Sequence, residues 1–556
     1  MASVDEKVGW KSMPRKDQLA ILFLLRFAEP AVRYSSSTYL YYQLESLNPS
    51  LSSGQIVRQS AAIQSAYIVG QCFSSILLSK LADSPRGGRK MVLLLGTGAS
   101  LLSCSSFGFI RHFYQGVILW GLEGVFNGNV ATCRTVVTEV VQEKKFLSRA
   151  FVGFTMATNL AILLSPMMGG QLADLAGRYP ERFGNSGFLK TYPYAPPALA
   201  NTGILLLAFV VMFFFLEETS PHVRYHSEPS PPISMRLLSW FSRQRQSPSY
   251  TPLERDDVSS GIEAMPLIQT GGGDSNPSRS SSSRDDGDDD EDDKNSHQTA
   301  ISDALSNAEQ KRKIPSMLPL RRIWTRNLLF MLIASSVHDG HLAAYTSLWV
   351  NFLSDPVVRH ASGDSLPFRF SGGVGMAPSD IGWTLSVIGV LGLPMQFLVY
   401  PRVSQRLGAL RTWRLFMRGF PIIYTVAPYI AVIGRLTPSV PDGKHSIAVW
   451  ALAICVQLAM IGCAVFVTPS QLMLIRLASP HPSALARTHS IAFVTSGAGR
   501  ALGSALSALV YSYGTSHSFT GLAFWLSAVV SVCVCCMSLA CREGNGHEVW
   551  LSGDEE

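Results

Sequence analysis

The 556-residue chain is 47% hydrophobic and only 15% charged, against about 25% charged in ordinary globular domains, which argues against a water-soluble fold. Its net charge of +7 does not indicate a nucleic-acid partner, because the basic residues sit in short turns beside apolar runs, where membrane topology places them. Nine cysteines, nearly all inside apolar runs and without a CxxC…CxxC spacing, give no support to a structural zinc module and read as small buried hydrophobes.

The N-terminal segment 1–18 is polar and basic, with Lys7, Lys11, Arg15 and Lys16. The first apolar run, 19–40, carries Arg26, Glu29 and Arg33 and lacks a clear small-residue cleavage site. It reads as a retained membrane helix rather than a leader peptide. Further runs follow near 61–82, 90–110, 114–140, 149–172 and 196–216. The turn Ser79–Lys90 (SKLADSPRGGRK) is a polar, basic knot between the second and third. Residues 219–322 then change character: Pro, Ser, Gly and Asp dominate, and Ser278–Asp293 is almost wholly Ser, Arg, Asp and Glu. Such a stretch cannot bury enough apolar area to offset its ordering entropy, so a disordered cytoplasmic linker is expected. Within it, Ile233–Arg245 is basic and amphipathic and suits a membrane surface or a short irregular stretch. A second set of runs lies near 327–352, 379–400, 412–434, 447–468, 485–511 and 519–541, ahead of a tail at 542–556.

Each run is close to the ~20 residues that cross hydrocarbon as a helix. The reading is an all-α membrane protein with twelve transmembrane helices in two pseudo-symmetric six-helix bundles, 19–218 and 323–541. Both termini are expected in the cytoplasm, since Lys144, Lys145, Arg149, Arg402, Arg406, Arg411 and Arg414 then fall on that side. The stretch Tyr400–Arg411 stands where Ser79–Lys90 stands in the first half, which suggests a duplicated unit.

Ionisable side chains inside such runs face a cavity or a partner, because hydrocarbon penalises charge. Arg26, Glu29 and Arg33 fall on one face of the first helix. They read either as a substrate- or proton-sensitive pair or as a structural ion pair. In the fourth run, Trp120, Glu123, Asn127 and Arg134 approximate one stripe. Glu123 is placed there to exchange a proton, or else pairs with Arg26 or Arg134. His338, Asp339 and His341 form an HDxH cluster, but the two histidines share a face from which Asp339 points away. Proton handling or substrate recognition fits this pattern better than a metal, and no metal ligand set or cofactor is assigned. Arg500 lies among Gly497, Gly499 and Gly503 and could meet an acidic residue across the bundle. Tyr34, Trp120, Tyr345 and Trp349 are candidates for a permissive apolar wall.

Several stretches carry a resemblance. LADSPRGGRK resembles the loop between helices two and three of the major facilitator superfamily, with Asp83, Gly88, Arg89 and Lys90 in its recurring places. Asn159–Gly170 (NLAILLSPMMGG) is similar to the helix-five motif of drug:proton antiporters, with Pro166, Gly169 and Gly170 matching and Ser165 replacing a Gly. LLRFAEP, NGN, RTVVTE, FSGGVGMAPSDIG, YPRV and EGNGHEVWL resemble fungal members of the zinc-induced-facilitator-like branch. Trp120 stands where many antiporters carry an Arg, so that residue's proton relay is not carried over. The Cys-Pro-Gly-Cys of the plant zinc facilitators is absent, which weakens zinc as a substrate.

The resemblance implies a transporter and not an enzyme. Asp83, Gly88, Arg89, Lys90, Pro166, Gly169 and Gly170 would act in gating, with Asp83 engaging the end of helix eleven. The expected activity is proton-coupled export of a small organic molecule, a drug or secondary metabolite. Its partners are protons, substrate and the lipid bilayer, and the chain is expected to work as a monomer in the plasma membrane or, alternatively, the vacuolar membrane. Two other readings stay open: a metal or inorganic cation transporter, and a non-transporting receptor or scaffold signalling through the linker.

Overall fold

A computed structural model describes residues 13–84, 87–141, 144–219, 320–358, 365–437, 445–481 and 484–549. The stretch 220–319, with Ile233–Arg245 and Ser278–Asp293, lies outside the described residues, as do Pro85 and Arg86 of the charged turn.

Each expected run is helical, as apolar segments must be where water cannot satisfy the backbone. The first half contains α1 (Lys16–Leu47), α2 (Ser53–Asp83), α3 (Arg89–Phe107), α4 (Phe113–Phe126), α5 (Asn129–Val140) and α6 (Lys144–Leu172). Three short turns follow, α7 (Leu175–Arg178), α8 (Pro180–Phe183) and α9 (Gly187–Thr191), and then α10 (Ala195–Phe215). The second half contains α11 (Arg326–Ser354), α12 (Pro378–Pro394), α13 (Tyr400–Leu407), α14 (Ala409–Met417), α15 (Gly419–Val426), α16 (Tyr429–Leu436), α17 (Ile447–Leu477), α18 (Leu485–Ser516) and α19 (Leu522–Ala540).

Among the described residues six helical stretches are long and apolar enough to cross a membrane: α3, α10, α12–α13, α14–α16, α17 and α19. The long helices α1, α2, α6, α11 and α18 run 29–32 residues each but carry polar and charged side chains. These more polar helices line the contact between the halves, where α6 packs on α12 and α2 on α18.

The fourth run departs from expectation. It is not one helix: the chain leaves α4 at Asn127 (φ −87°, ψ 88°) and re-enters a helix at Asn129. The expected stripe through Trp120, Glu123, Asn127 and Arg134 is therefore broken, and Arg134 ends up exposed on α5. In the second half Pro394 cannot donate its missing N–H, and the chain widens into one π-helical turn at Met395–Val399 before α13.

Small residues set how closely helices approach. A Cβ on Gly124 would fall 2.1 Å from the carbonyl oxygen of Tyr67, so α2 and α4 touch backbone to backbone. Gly499 and Gly503 do the same for α18 against Ser336 and Gly340 of α11.

The proposed duplication has a structural counterpart. Gly88 heads α3 with φ 98° and ψ 167°, and Gly408 heads α14 with φ 77° and ψ 162°. Both occupy a region that glycine enters without a Cβ penalty. The capping chemistry differs. In the first half the Glu218 carboxylate accepts the backbone N–H groups of Arg89 (2.9 Å) and Lys90 (3.0 Å), an anion at a helix N-terminus. In the second, Arg414 donates to the carbonyls of Ser538 (3.0 Å) and Cys541 (2.8 Å) at the end of α19, a cation at a C-terminus.

Candidate functional site

Glu29 lies on the buried face of α1, between Arg26 and Arg33. The break in the fourth run explains its surroundings. Asn127 and Asn129 flank the break, and both turn their amides onto Glu29; Asn127 donates over 3.4 Å. Asn129 also donates to Thr97 Oγ1 (3.3 Å) on α3. Short polar side chains compete for backbone bonds and so suit a helix interruption. Here the interruption delivers two donors to one carboxylate.

Glu123, on α4, accepts from Ser100 Oγ (3.2 Å) on α3. The cation that acts most strongly on it is Arg33, not Arg26 or Arg134. The Arg33 guanidinium lies over the Tyr67 ring, 3.3 Å from its centroid. Gln71 donates to Tyr67 Oη (3.0 Å) and to Asn127 Oδ1 (3.4 Å), tying α2 into the same cluster. Arg26 sits 5.1 Å from the Phe154 centroid, with its Nε buried and without a hydrogen-bond partner among the described residues. The structure thus brings together Arg26, Glu29, Arg33, Glu123 and Asn127, and leaves Arg134 aside.

In the second half, His338 Nδ1 and His341 Nε2 are 3.2 Å apart, and His341 Nδ1 meets Tyr424 Oη at 2.9 Å. Phe420 packs on both imidazoles, at 5.3 and 5.4 Å. Tyr345 stacks on Tyr424 and Trp349 and donates to Gln457 Oε1 (3.1 Å). Asp339 faces elsewhere and accepts from Gln471 (3.2 Å) and Ser496. Among the described residues no three His, Cys, Asp or Glu converge to hold a metal.

The expected apolar wall is not assembled. Tyr345 and Trp349 are buried within the second half, Trp120 rests on Phe107, and Tyr34 is 38% exposed. One helix turn separates Tyr345 from Trp349 on α11, whereas Tyr34 stands on α1 and Trp120 on α4.

At the end carrying the termini, the Arg89 guanidinium reaches Glu139 (3.1 Å) on α5 and the carbonyl of Ala82 (2.6 Å). Thr219 donates to the second oxygen of Glu139, and Arg15 pairs with Glu217. Lys90 contributes its backbone N–H to the Glu218 cap. Asp83 is the last residue of α2, and its side chain lies outside the described residues. Glu139 and Glu218 escape sequence reasoning because their partners lie 50 and 129 positions away. Glu139 does fall within the RTVVTE motif, which is the one available signal.

Pro166, Gly169 and Gly170 mark the other end. A Cβ on Gly169 would fall 2.4 Å from the Ser35 carbonyl oxygen on α1. One on Gly170 would fall 2.2 Å from that of Pro378 on α12. Gly382 returns the contact, 2.5 Å from the Pro166 carbonyl oxygen. On the α2–α18 side, Gly54 abuts Ser512 and the Ser65 and Ser504 hydroxyls are 3.0 Å apart. Tyr42 of α1 donates to the carbonyl of Met376. The halves therefore close on each other at the end remote from the termini.

Asp355, directly after α11, sits inside this closure at 2% exposure and accepts from Tyr511 (2.7 Å). Burial pushes its carboxyl up to about 6, against hydrogen bonds from Ser53 and Tyr511, and the charge of Glu45 adds to the rise. Its unperturbed value is 3.8. A raised value means that the packed junction binds the proton better than the opened chain. Its contribution is complete below about pH 4 and is lost as the pH rises through about 6. The thermal midpoint of the purified protein should fall over that interval, by an amount equivalent to on the order of 2 kcal/mol. Asp355→Asn should flatten the dependence; a variant with the parent's slope would exclude this carboxyl.

Two surface grooves lie away from the polar cluster. A groove of about 490 Å³ between α3 and α10 is lined by Lys90, Met91, Leu94, Phe209, Phe213 and Glu218. Another of about 350 Å³ lies by Leu51, Gln55, Arg58 and Phe113. Arg33 is nonetheless partly exposed, as are Asp339 and Arg500.

The Major Facilitator Superfamily profile matches residues 22–433. The chain belongs to the major facilitator superfamily. It is 27% identical over 523 residues to the "Major facilitator superfamily multidrug transporter mfsB" of Aspergillus fumigatus, covering 94% of this chain and 83% of that protein. It is 20% identical over 416 residues to "Protein ZINC INDUCED FACILITATOR 1" of Arabidopsis thaliana, covering 75% and 70%. Among solved structures, that of a D-xylose-proton symporter superposes with a TM-score of 0.59 at 10% identity, covering 96% and 99%, a likeness of fold alone. The major facilitator fold expected from the charged turn is thus established, and with it a transporter rather than an enzyme.

Proposed function

We propose that this major facilitator protein exports small organic molecules in exchange for protons, by alternating access between its two halves. The observation that carries the reading is the pair Glu29 and Glu123. Each is buried, and each accepts hydrogen bonds from neutral donors, Asn127 and Asn129 or Ser100. A carboxylate held by amides and hydroxyls can gain and lose a proton without breaking an ion pair. Arg33 is the neighbouring cation of Glu123, and Arg26 and Arg33 are those of Glu29. His338, His341 and Tyr424 form a second, buried hydrogen-bonded chain in the other half.

The organic substrate is supported by the printed name of the Aspergillus fumigatus relative, a multidrug transporter. The helix-five motif ending in Pro166, Gly169 and Gly170 supports export. The plasma membrane, both termini on its cytoplasmic face and a monomeric state complete the proposal, with the halves at 19–218 and 323–541.

The test is flux in proteoliposomes under an imposed pH gradient, run with a panel of toxic organic compounds and with zinc salts. Gradient-driven movement of one or more organic compounds, and none of zinc, is the expected result. Zinc movement sensitive to His338→Ala and His341→Ala would replace the proposal with metal transport. A loss of cellular function on deleting 225–310, with flux unchanged, would favour a scaffold.

A further inference from the structure

We infer that Cys533 and Cys536 are sites of fatty acylation, on the lipid-facing side of α19 where that helix meets the cytoplasmic headgroups. The inference goes beyond the transport reading and shares with it only the cytoplasmic placement of the C-terminus.

Cys455, Cys533 and Cys536 are exposed, and none is in a disulfide. α19 packs on α11 and α15 and buries Ser527, Ser531, Val534 and Ser538. Its opposite side is an exposed stripe at spacings of three and four: Leu526, Val529, Cys533 and Cys536. Both thiols therefore stand on the face turned to lipid. Cys541 differs, being buried and donating to the carbonyl of Met537 (3.6 Å).

Two arginines set the depth of these thiols. Arg414 donates to the carbonyls of Ser538 (3.0 Å) and Cys541 (2.8 Å), which fixes α14 beside the last turn of α19. The chain stays helical through Arg418 (φ −66°, ψ −15°), one turn beyond Arg414, and the Arg418 side chain is exposed. An exposed guanidinium keeps its charge among headgroups, out of hydrocarbon. The headgroup layer thus reaches the last turns of α19. Cys536 lies about 6 Å along the axis before the last residue, Ala540, and Cys533 one turn deeper. Cys455 sits near the opposite end of α17 (Ile447–Leu477), away from this layer.

Cysteines at such a boundary are acceptors for reversible S-acylation. The thiolate Sγ attacks the thioester carbonyl of a long-chain acyl-coenzyme A. A new bond joins Sγ to the acyl carbon, and the bond from that carbon to the coenzyme sulfur breaks. The coenzyme leaves as a thiolate and takes up the proton given up by the cysteine. One thioester replaces another, so no oxidant or reductant is consumed. Helical side chains lean toward the N-terminus, which aims each Sγ, and the chain it carries, along Val529 and Leu526 into the bilayer.

The experiment is an acyl-exchange assay on the full-length chain expressed in a eukaryotic host. Free thiols are blocked with N-ethylmaleimide, thioesters are cleaved with neutral hydroxylamine, and the thiols so released are tagged with maleimide-polyethylene glycol. A hydroxylamine-dependent mass shift is expected in the parent and in Cys455→Ser, and its loss in the double variant Cys533→Ser/Cys536→Ser. An alkyne-bearing fatty acid fed to the cells should label the same forms and no others. If the serine pair does not reach the membrane, Cys533→Ala/Cys536→Ala, which stays apolar, decides the matter. A parent without the shift, or a shift that survives in the double variant, would overturn the inference. So would an epitope on the tail that antibody reaches in intact cells, since the thiols would then face the other leaflet. None of these readouts depends on transport, so the two readings fail separately.

Discussion

Glu123→Gln and Glu29→Gln are each expected to reduce pH-gradient-driven transport by roughly 10-fold or more, because a buried amide cannot carry the proton that a buried carboxyl carries. The amide keeps the volume of the carboxyl and one of its acceptor oxygens. At position 123 it still meets Ser100 Oγ, and at position 29 it still accepts from Asn127 or Asn129. The fold should therefore survive, and substrate exchange in the absence of a gradient should stay within about 2-fold of the parent, since it requires only binding and the motion of the halves. Gradient-driven flux and gradient-free exchange, measured on the same proteoliposomes, separate the two effects. Gradient-driven flux at parental rates in both variants would remove these carboxyls from the coupling mechanism. Loss of exchange as well would reassign them to binding or folding.

Gly170→Ala is the second large expectation. The added methyl would lie 2.2 Å from the carbonyl oxygen of Pro378 and 3.0 Å from the Cα of Ser379, both backbone atoms of the opposite half. No side chain can rotate away to relieve this, so α6 and α12 must separate. Overpacking of this kind costs about 1–3 kcal/mol. Each 1.4 kcal/mol is about tenfold in the population of the state closed at the end remote from the termini. Adding Gly382→Ala, which meets the Pro166 carbonyl oxygen at 2.5 Å, should deepen the effect. Hydrogen exchange should rise at the start of α12 and around Tyr42, and turnover should fall, while the internal helix contacts of each half keep their protection. Unchanged exchange and unchanged turnover would show that this closure is not a working part of the cycle.

Much of the path of the chain is legible in its sequence, because apolar runs of about 20 residues with basic turns permit few alternatives in a membrane. The positions of Gly88 and Gly408 are legible for a similar reason, since each punctuates a basic turn of the same form. The site is legible only in part. Glu29 and Glu123 stand out because charge is rare in such runs. Their donors do not: Asn129 and Ser100 are unremarkable polar residues in helices, and only the break at Asn127 shows why the asparagines converge. That break has a local cue in Asn127-Gly128-Asn129, but helical periodicity on either side masks it. Tyr424 is the harder case. It lies 83 positions from His341 in a helix of ordinary composition, and nothing nearby marks its hydroxyl as the end of a histidine chain. Asp355 is hidden likewise, since its partners Tyr511 and Ser53 come from the far ends of two other helices.

The closure at the remote end is made of glycines set against carbonyl oxygens, one pair of serine hydroxyls and a tyrosine bonded to a backbone oxygen. None of those contacts depends on opposite charges attracting through water. These particular contacts are therefore insensitive to ionic strength, unlike the ion pairs Arg89–Glu139 and Arg15–Glu217 at the opposite end.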